Sequence, residues 1–268
     1  MITESKFNKF TIASYQGPPA ISVDHALETI ELVCNDTSFS DIVLFPETFL
    51  QGYFSEESMA RKSALDLIDT NIFNTLSNLK PTIILGLNEK CDDKIYNTTA
   101  IIENGKVVGK AQKFSTYPPY DYYSLSDTFP VFEKNGVRYG ICICCDINYT
   151  KPAETLAKHG AQIIFVPMWN IIKRTHGLLP HMHNKAHLQS KATENKVWLV
   201  CSDVISSNDL EMGVGASCII DPYGTVVSTA QPLTENLIIY NISGSSLDKK
   251  FIGLDRNKQE KYLNECTK

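Results

Sequence analysis

The chain has 268 residues and a net charge of −5, with 43% hydrophobic and 21% charged residues. These proportions are typical of a globular protein and exclude a disordered or low-complexity chain. The 25 basic residues are scattered among 30 acidic ones, so the sequence predicts no nucleic-acid partner. We expect no membrane partner either, because the apolar runs are far shorter than the roughly 18 residues that span a bilayer.

The first ten residues and the cysteines indicate the compartment. The segment MITESKFNKF has no apolar core, so it does not read as a signal peptide, and we predict a cytoplasmic protein. Reduced, buried thiols are then the ordinary expectation for cysteines. Eight cysteines are present, at positions 34, 91, 142, 144, 145, 201, 218 and 266. No two of them form a C-x-x-C pair, which argues against a zinc ribbon.

Strand-like and helical patterns alternate along the first part of the chain. Residues 10–15, 41–45 and 81–87 are β-rich or apolar runs that predict strands, whereas residues 23–34 and 58–79 have helical spacing. A hairpin is predicted next, because two β-rich runs flank an Asn-Gly pair. Its strands cover residues 96–103 and 106–113.

The second part of the chain continues the alternation. Strands are predicted over residues 137–144, 161–166, 197–203, 216–220 and 225–228, and helices over residues 152–159 and 180–195. Residues 245–268 are polar and predict a C-terminal arm. Without a linker or an internal repeat, we expect one α/β domain over residues 1–268, with mixed sheets.

Three residues with chemical potential follow buried strands, where open α/β sheets place their ligands. Glu47 comes directly after a strand and Pro46, so poor hydration would suit it to act as a base. An acid that merely stabilises a helix start is the alternative. Lys113 ends the second hairpin strand, where it either points inward to stabilise an oxyanion or lies exposed at an edge.

The third candidate is Cys144, which lies where a strand gives way to a turn. A thiol there is presented at the edge of the sheet, and the N–H groups after it can point at a developing negative charge. A cysteine needs a neighbouring base or positive charge to attack as a thiolate. Glu47 and Lys113 are candidates for these two functions, whereas an inert, packed thiol is the alternative.

Six strings in order make the chain resemble the nitrilase, or carbon–nitrogen hydrolase, superfamily. They are FPETFLQGY, IYNTTAIIENGKVVGKAQK, YGICICCDINY, GAQIIFVPMW, ATENKVWLVCSD and GASCIIDPYGTVV. The resemblance covers nearly the whole chain. It implies a four-layer α-β-β-α sandwich, a small-molecule amide substrate, no cofactor or metal, and a homodimer or larger assembly.

The resemblance also implies residue roles. Glu47 would be the base, Lys113 the oxyanion stabiliser and Cys144 the nucleophile, and the backbone N–H of Cys145 would help to hold the oxyanion. Many members carry a second glutamate between the lysine and the cysteine. Here an ungapped count puts Pro119 at that position, and a small shift in the loop alignment would put Asp121, the nearest acid, in place of the second glutamate.

The substrate pocket is predicted from two loops. By resemblance, Met168, Trp169 and Asn170 would line the site, and the tyrosine-rich loop after Lys113, with Tyr117, would add an aromatic wall. Such a wall favours a small amide with an apolar or planar part. The alternative is that these tyrosines pack against a second subunit.

The sequence leaves alternatives to thiol-dependent amide hydrolysis. An acyl transferase would use the same thioester, and a catalytically reduced relative would only bind a ligand. A true nitrilase is disfavoured, because Cys145 replaces the tryptophan that follows the nucleophile in those members. His181, His183 and His187 lack the acidic residue of an H-E-x-x-H zinc motif, so we expect no metal site.

Overall fold

The computed structural model describes residues 9–68, 71–176 and 179–247, with residues 179–181 described by their backbone alone. Within these ranges, the strands are β1 (Lys9–Gln16), β2 (Ile42–Leu44), β3 (Thr82–Cys91), β4 (Lys94–Glu103), β5 (Lys106–Gln112), β6 (Phe132–Lys134), β7 (Val137–Ile141), β8 (Ile163–Pro167), β9 (Ile171–Lys173), β10 (Trp198–Ser202), β11 (Ile205–Ser207), β12 (Glu211–Val214), β13 (Cys218–Ile220), β14 (Val226–Thr229) and β15 (Asn236–Ser243). The α-helices are α1 (Val23–Asp36), α2 (Glu57–Ser63), α3 (Thr150–Lys158), α4 (Leu179–Asn195) and α5 (Gly244–Leu247), and short 3₁₀ helices cover Ile72–Leu76, Cys144–Asn148 and Arg174–His176.

Two six-stranded mixed sheets form the centre of the fold. Their strand orders are β15-β1-β2-β3-β4-β5 and β14-β13-β10-β8-β7-β6. Each sheet has three neighbouring parallel strands, β1-β2-β3 in the first and β7-β8-β10 in the second, and antiparallel strands flank them. The mixed sheets predicted from the sequence are therefore confirmed.

The outer face of the first sheet is covered by α1. Ser22 caps this helix by accepting a hydrogen bond from the His25 N–H at 3.1 Å. Its apolar face buries Ala26 and Ile30 in a cluster with Val43 of β2 and Leu85 of β3. Side chains along a strand alternate between the two faces of a sheet. The residues next to Val43 and Leu85 in sequence therefore point away from α1, towards the second sheet.

The inner faces of the two sheets pack against each other. Ile12 and Ile84 of the first sheet share a buried cluster with Phe165 and Val200 of the second. The Ser14 hydroxyl on β1 donates to the Cys201 carbonyl oxygen on β10 at 2.8 Å, which ties the two sheets together.

The outer face of the second sheet is covered by α3 and α4. Leu156 of α3 and Leu188 of α4 are fully buried in the cluster that contains this sheet. Gly160, with φ +95°, follows the His159 cap of α3 and ends the helix. The layers therefore run α-β-β-α, which confirms the predicted sandwich.

The helix predicted over residues 58–79 is wrong beyond Ser63. The chain instead runs beside the part of β3 that extends beyond β2, where the Leu65 N–H donates to the Asn88 carbonyl oxygen at 2.9 Å and the Leu65 carbonyl oxygen accepts from the Lys90 N–H at 2.8 Å. These two hydrogen bonds to the sheet replace those that a helix would make.

Several other sequence predictions can be compared with the structure. The Asn104-Gly105 hairpin is confirmed, with φ of +50° and +69° at its two turn residues. The strands β6, β9, β11, β12 and β15 were missed. The predicted arm begins in α5, and its residues 248–268 lie outside the described ranges. Over the described ranges, no helix combines the length and hydrophobicity needed to cross a membrane.

Candidate active site

Glu47 is presented by a tight turn directly after β2. Its side chain is 1% exposed, and its backbone N–H donates to the Met168 carbonyl oxygen at 3.2 Å. The next residue, Thr48, has a left-handed φ of +46°, which few non-glycine residues adopt. The turn lies against Gly86 of β3 so closely that an added Cβ would be 2.3 Å from the Thr48 nitrogen. Gly86 is thus required for the position of the glutamate.

Lys113 follows β5 and points inward. Its side chain is 1% exposed, and its Nζ lies 2.6 Å from Glu47 Oε1 and 3.1 Å from the Ile143 carbonyl oxygen. Burial alone would lower the pKa of this amine, but Glu47 and the nearby thiols raise it well above its ordinary value. Lys113 is therefore a buried ammonium rather than an exposed edge lysine.

Asn97 is a site residue that the sequence prediction missed. It lies on β4, and its side-chain amide donates to Glu47 Oε1 at 2.7 Å. Its backbone carbonyl also accepts from the Lys113 N–H at 2.9 Å. Asn97 therefore contacts both charged residues of the pair. Its place in the predicted hairpin strand over residues 96–103, paired with the strand that ends at Lys113, was the available signal.

Cys144 lies beyond the end of β7, at the start of a 3₁₀ helix. It has a left-handed φ of +49°, and the residue is 8% exposed. The backbone N–H of Trp169 lies near its sulfur and favours a negative charge there. Burial and the neighbouring Glu47 raise the thiol pKa well above its ordinary value, although Lys113 opposes this rise. The thiol is therefore protonated near neutral pH, with a carboxylate and an ammonium close by.

Asp146 joins the cysteine turn to the lysine strand. One carboxylate oxygen accepts from the Ser115 N–H at 2.9 Å and from its hydroxyl at 2.8 Å. The other accepts from the N–H groups of Phe114 at 3.1 Å and Ile143 at 3.2 Å. Phe114 and Ser115 follow Lys113 and Ile143 precedes Cys144, so the aspartate links the segment that carries the lysine to the segment that carries the cysteine.

Cys145 differs from Cys144 in its surroundings. Its sulfur lies 3.3 Å from the Ser115 hydroxyl and 3.4 Å from the Ser115 carbonyl oxygen. Burial raises its pKa, and Lys113 and Ser115 oppose that rise. The thiol is thus engaged by Ser115, whereas its backbone lies in the first turn of the 3₁₀ helix.

The loop after β8 reaches the site mainly through its backbone. The Met168 carbonyl oxygen accepts from the Glu47 N–H, and the Trp169 N–H lies near the Cys144 sulfur. The Asn170 side chain is held by Asp203, with Nδ2 2.9 Å from Oδ2, and its backbone N–H donates to Oδ1 at 3.0 Å. Asp203, which the sequence prediction missed, therefore anchors this loop.

The other residues predicted for the site or considered as metal ligands differ in their exposure and in their proximity to the buried pair. Tyr117 is half exposed; partial burial of its hydroxyl raises its pKa, and the charges of Cys144 and Glu47 raise it further. Asp121 is exposed, and none of the described contacts links it to the buried pair. Its proposed substitution for the second glutamate stays a prediction. His183 and His187 are exposed on α4, and the side chain of His181 lies outside the described part of the chain.

The buried groups form a coherent chemical arrangement. A protonated thiol, a carboxylate and an ammonium occur together beneath a loop that donates and accepts through its backbone. A carboxylate near a thiol can take its proton, and an ammonium next to both can stabilise negative charge on a reacting oxygen. Such an arrangement suits attack on a carbonyl-like carbon without a cofactor.

Comparison with known proteins agrees with this geometry. A glutamine-dependent NAD(+) synthetase from Xylella fastidiosa is 23% identical over 260 residues, which cover 93% of this chain and 47% of the relative. The chain thus spans about half the length of that relative. An (R)-stereoselective amidase from a Pseudomonas species is 26% identical over 84% of this chain and 80% of the amidase.

A solved structure shows the same fold. Saccharomyces cerevisiae Nit3, described as a member of branch 10 of the nitrilase superfamily, superposes with a TM-score of 0.78 at 21% identity, over 93% of this chain and 96% of Nit3. The family model for carbon–nitrogen hydrolases matches residues 11–249. Since this match extends over most of the sequence, the chain belongs to the carbon–nitrogen hydrolase family.

Proposed function

We propose that the protein hydrolyses a C–N bond of a small linear amide or carbamoyl compound through a thioester on Cys144. The observation that carries the proposal is the buried contact between Glu47 and Lys113, 2.6 Å apart, beside the Cys144 thiol. The similarity to a Pseudomonas amidase supports an amide substrate.

Acylation begins with transfer of the Cys144 proton to Glu47. The sulfur forms a bond to the amide carbon, and the carbonyl electron pair moves onto oxygen. Lys113 Nζ and the Cys145 N–H stabilise this oxyanion, since the first N–H groups of a helix have no acceptor within the helix. One such donor contributes about 3 kcal/mol to the transition state.

Collapse of the tetrahedral intermediate breaks the C–N bond. Glu47 returns its proton to the leaving nitrogen, so ammonia or an amine departs and a thioester remains. Water then attacks the thioester as Glu47 takes a proton from it. The C–S bond breaks, the acid leaves, and the proton returns to Cys144. No step requires a cofactor.

The test is ammonia release from a panel of small amides and carbamoyl compounds. The wild-type protein should release ammonia, and Cys144→Ala should release none. Cys145→Ser is the matched control and should retain turnover, because its thiol faces Ser115. Loss of turnover in Cys145→Ser alone would reverse the assignment of the nucleophile.

Two alternatives are outcomes of the same assay with hydroxylamine present. Formation of a hydroxamate faster than acid would indicate transfer to an amine. Binding of an amide without any product would indicate a ligand-binding relative. The single domain, the homodimer or larger assembly and the cytoplasmic location stay predictions.

A further inference from the structure

Four rings form a continuous surface, which we term the aromatic wall: Tyr53, Tyr117, Tyr120 and Trp169. The rings of Tyr53 and Tyr120 are stacked, with centroids 4.2 Å apart. Tyr117 meets Tyr120 edge-on at 5.7 Å, and Trp169 lies 6.3 Å from Tyr53. The wall is thus connected to the loop whose backbone contacts Cys144.

Hydrogen bonding separates the wall from the two neighbouring tyrosines. The Tyr122 hydroxyl donates to the Phe54 carbonyl oxygen, and the Tyr123 hydroxyl donates to Asn88 Oδ1. These two side chains serve the local fold. Among the residues that the structure describes, the hydroxyls of Tyr53, Tyr117 and Tyr120 have no hydrogen-bond partner, so they are available to a ligand.

The wall lies next to the reacting groups, because Trp169 directly follows Met168, whose carbonyl oxygen accepts a hydrogen bond from the Glu47 N–H at 3.2 Å. After burial, the charge of Glu47 is the largest cause of the raised Tyr53 pKa, and the charge of Cys144 is the largest for Tyr117. Charge interactions of this kind require short separations. A molecule held against the wall would therefore have its carbonyl carbon within reach of the Cys144 sulfur.

The charges around the wall disfavour an anion. Lys113 is already paired with Glu47. Burial raises the pKa of Tyr120, and the charge of the nearby Glu211 carboxylate raises it further. A negatively charged acyl group would meet this carboxylate and the negative faces of the rings.

We propose that the aromatic wall binds the acyl side chain of the substrate and selects an uncharged planar ring over an aliphatic or anionic group. The inference rests on the proposed function and names its substrate class. Offset and edge-on ring contacts favour a planar aromatic guest over a saturated ring of similar size.

The test compares phenylacetamide, cyclohexylacetamide and succinamate as substrates. For the wild-type protein, kcat/KM for phenylacetamide should exceed that for cyclohexylacetamide by about 3–10-fold, mainly through KM. Succinamate should be the poorest of the three. Tyr117→Leu and Tyr120→Leu should each bring the ratio of kcat/KM for phenylacetamide to that for cyclohexylacetamide towards one. Tyr122→Leu, from the same loop, is the matched control and should keep the ratio.

Calorimetry with the Cys144→Ala variant measures the dissociation constants of phenylacetamide and cyclohexylacetamide. Their ratio reports the preference for the phenyl ring without requiring turnover. Equal dissociation constants for phenylacetamide and cyclohexylacetamide, or a ratio unchanged in both Tyr117→Leu and Tyr120→Leu, would overturn the inference. Absence of ammonia release from every amide, despite a binding preference for the phenyl ring, would overturn the proposed function instead.

Discussion

Lys113 Nζ lies 2.6 Å from Glu47 Oε1, and both side chains are 1% exposed. A buried ion pair of this kind costs desolvation energy that its attraction repays only partly. Asn97 and the Ile143 carbonyl supply further hydrogen bonds to the two groups. We therefore attribute the pair to chemistry rather than to stability.

Removing one member of the pair should cost both stability and activity. Glu47→Gln or Lys113→Met leaves an uncompensated buried charge or an unpaired carboxylate, so each should lower the free energy of unfolding by about 3–5 kcal/mol. Loss of the base in Glu47→Gln should also lower turnover about 10²–10⁴-fold. Urea unfolding and ammonia release measure the two effects.

The double variant Glu47→Gln/Lys113→Met is the control for this explanation. It contains no buried charge at the pair, so it should be more stable than the sum of the single effects predicts, yet it should remain inactive. Strictly additive losses would contradict a coupling between the two side chains.

Gly86→Ala should impair catalysis without touching a reacting group. The added Cβ would lie 2.3 Å from the Thr48 nitrogen and 2.8 Å from the Glu47 carbonyl carbon, so the glutamate turn must move. A displacement of about 1 Å costs on the order of 10²-fold in rate. We expect that loss in kcat.

Gly140→Ala is a matched control for the effect of overpacking. Its Cβ would meet the Leu156 side chain at 2.4 Å, away from the glutamate turn. It should lose about 1–3 kcal/mol of stability and keep its kcat. A wild-type kcat in Gly86→Ala would show that the close approach does not position Glu47.

Alkylation of Cys144 should accelerate with pH beyond the ordinary range of a cysteine. Burial and Glu47 raise its pKa well above the usual value, so the thiolate fraction keeps increasing through pH 9. The iodoacetamide reaction of the wild-type protein, after subtraction of the Cys144→Ser rate, measures this. A plateau below pH 8 would mean that the thiol is already ionised in the resting protein.

Titration of Asp203 should lower the free energy of unfolding as the pH rises from about 4 to about 6. Burial raises its pKa to about 6 from an ordinary 3.8, against hydrogen bonds from Asn170, Val204 and Ala216. Over this window the folded protein binds more protons than the unfolded chain, so the free energy of unfolding decreases as pH rises. The full effect is at most about 3 kcal/mol.

Asp203→Asn removes this titration. Urea denaturation at pH 4, 5 and 6 measures the free energy of unfolding of both proteins. Its decrease from pH 4 to pH 6 should be smaller in the variant than in the wild-type protein. Identical pH dependence in the two proteins would show that Asp203 titrates at its ordinary value.

Much of the site could be predicted because strand ends are visible in the sequence. Lys113 directly follows β5, whereas Glu47 and Cys144 come three residues beyond the ends of β2 and β7. These strand ends meet at one edge of the sheets. Glu47 and Lys113 are therefore in contact, and Cys144 lies beside them. The hairpin was equally visible, since an Asn-Gly turn fixes two neighbouring strands.

The register of that hairpin could not be predicted. Counting from the Asn104-Gly105 turn without interruption places Gln112 opposite Asn97. A β-bulge between Ile101 and Ile102 shifts the pairing by one residue, so Asn97 instead bonds to Lys113. A bulge depends on local strain and packing that a periodicity of two does not reveal.

Long-range contacts explain the other differences. The segment after α2 has helical spacing, but Leu65 pairs with Glu89, in the part of β3 that extends beyond β2, and this contact depends on the sheet rather than on neighbouring residues. Similarly, the link between Asp203 and Asn170 joins loops 33 residues apart. Neither contact has a local sequence signal.

The most direct test of the account is to map the acyl group on the enzyme during turnover. The wild-type protein is mixed with an amide that it hydrolyses, quenched in acid and analysed by intact and peptide mass spectrometry. We predict an adduct with the mass of the acyl group on Cys144, present in Cys145→Ser and missing in Cys144→Ala. An acyl group on Cys145, or one that persists in Cys144→Ala, would contradict the proposed mechanism.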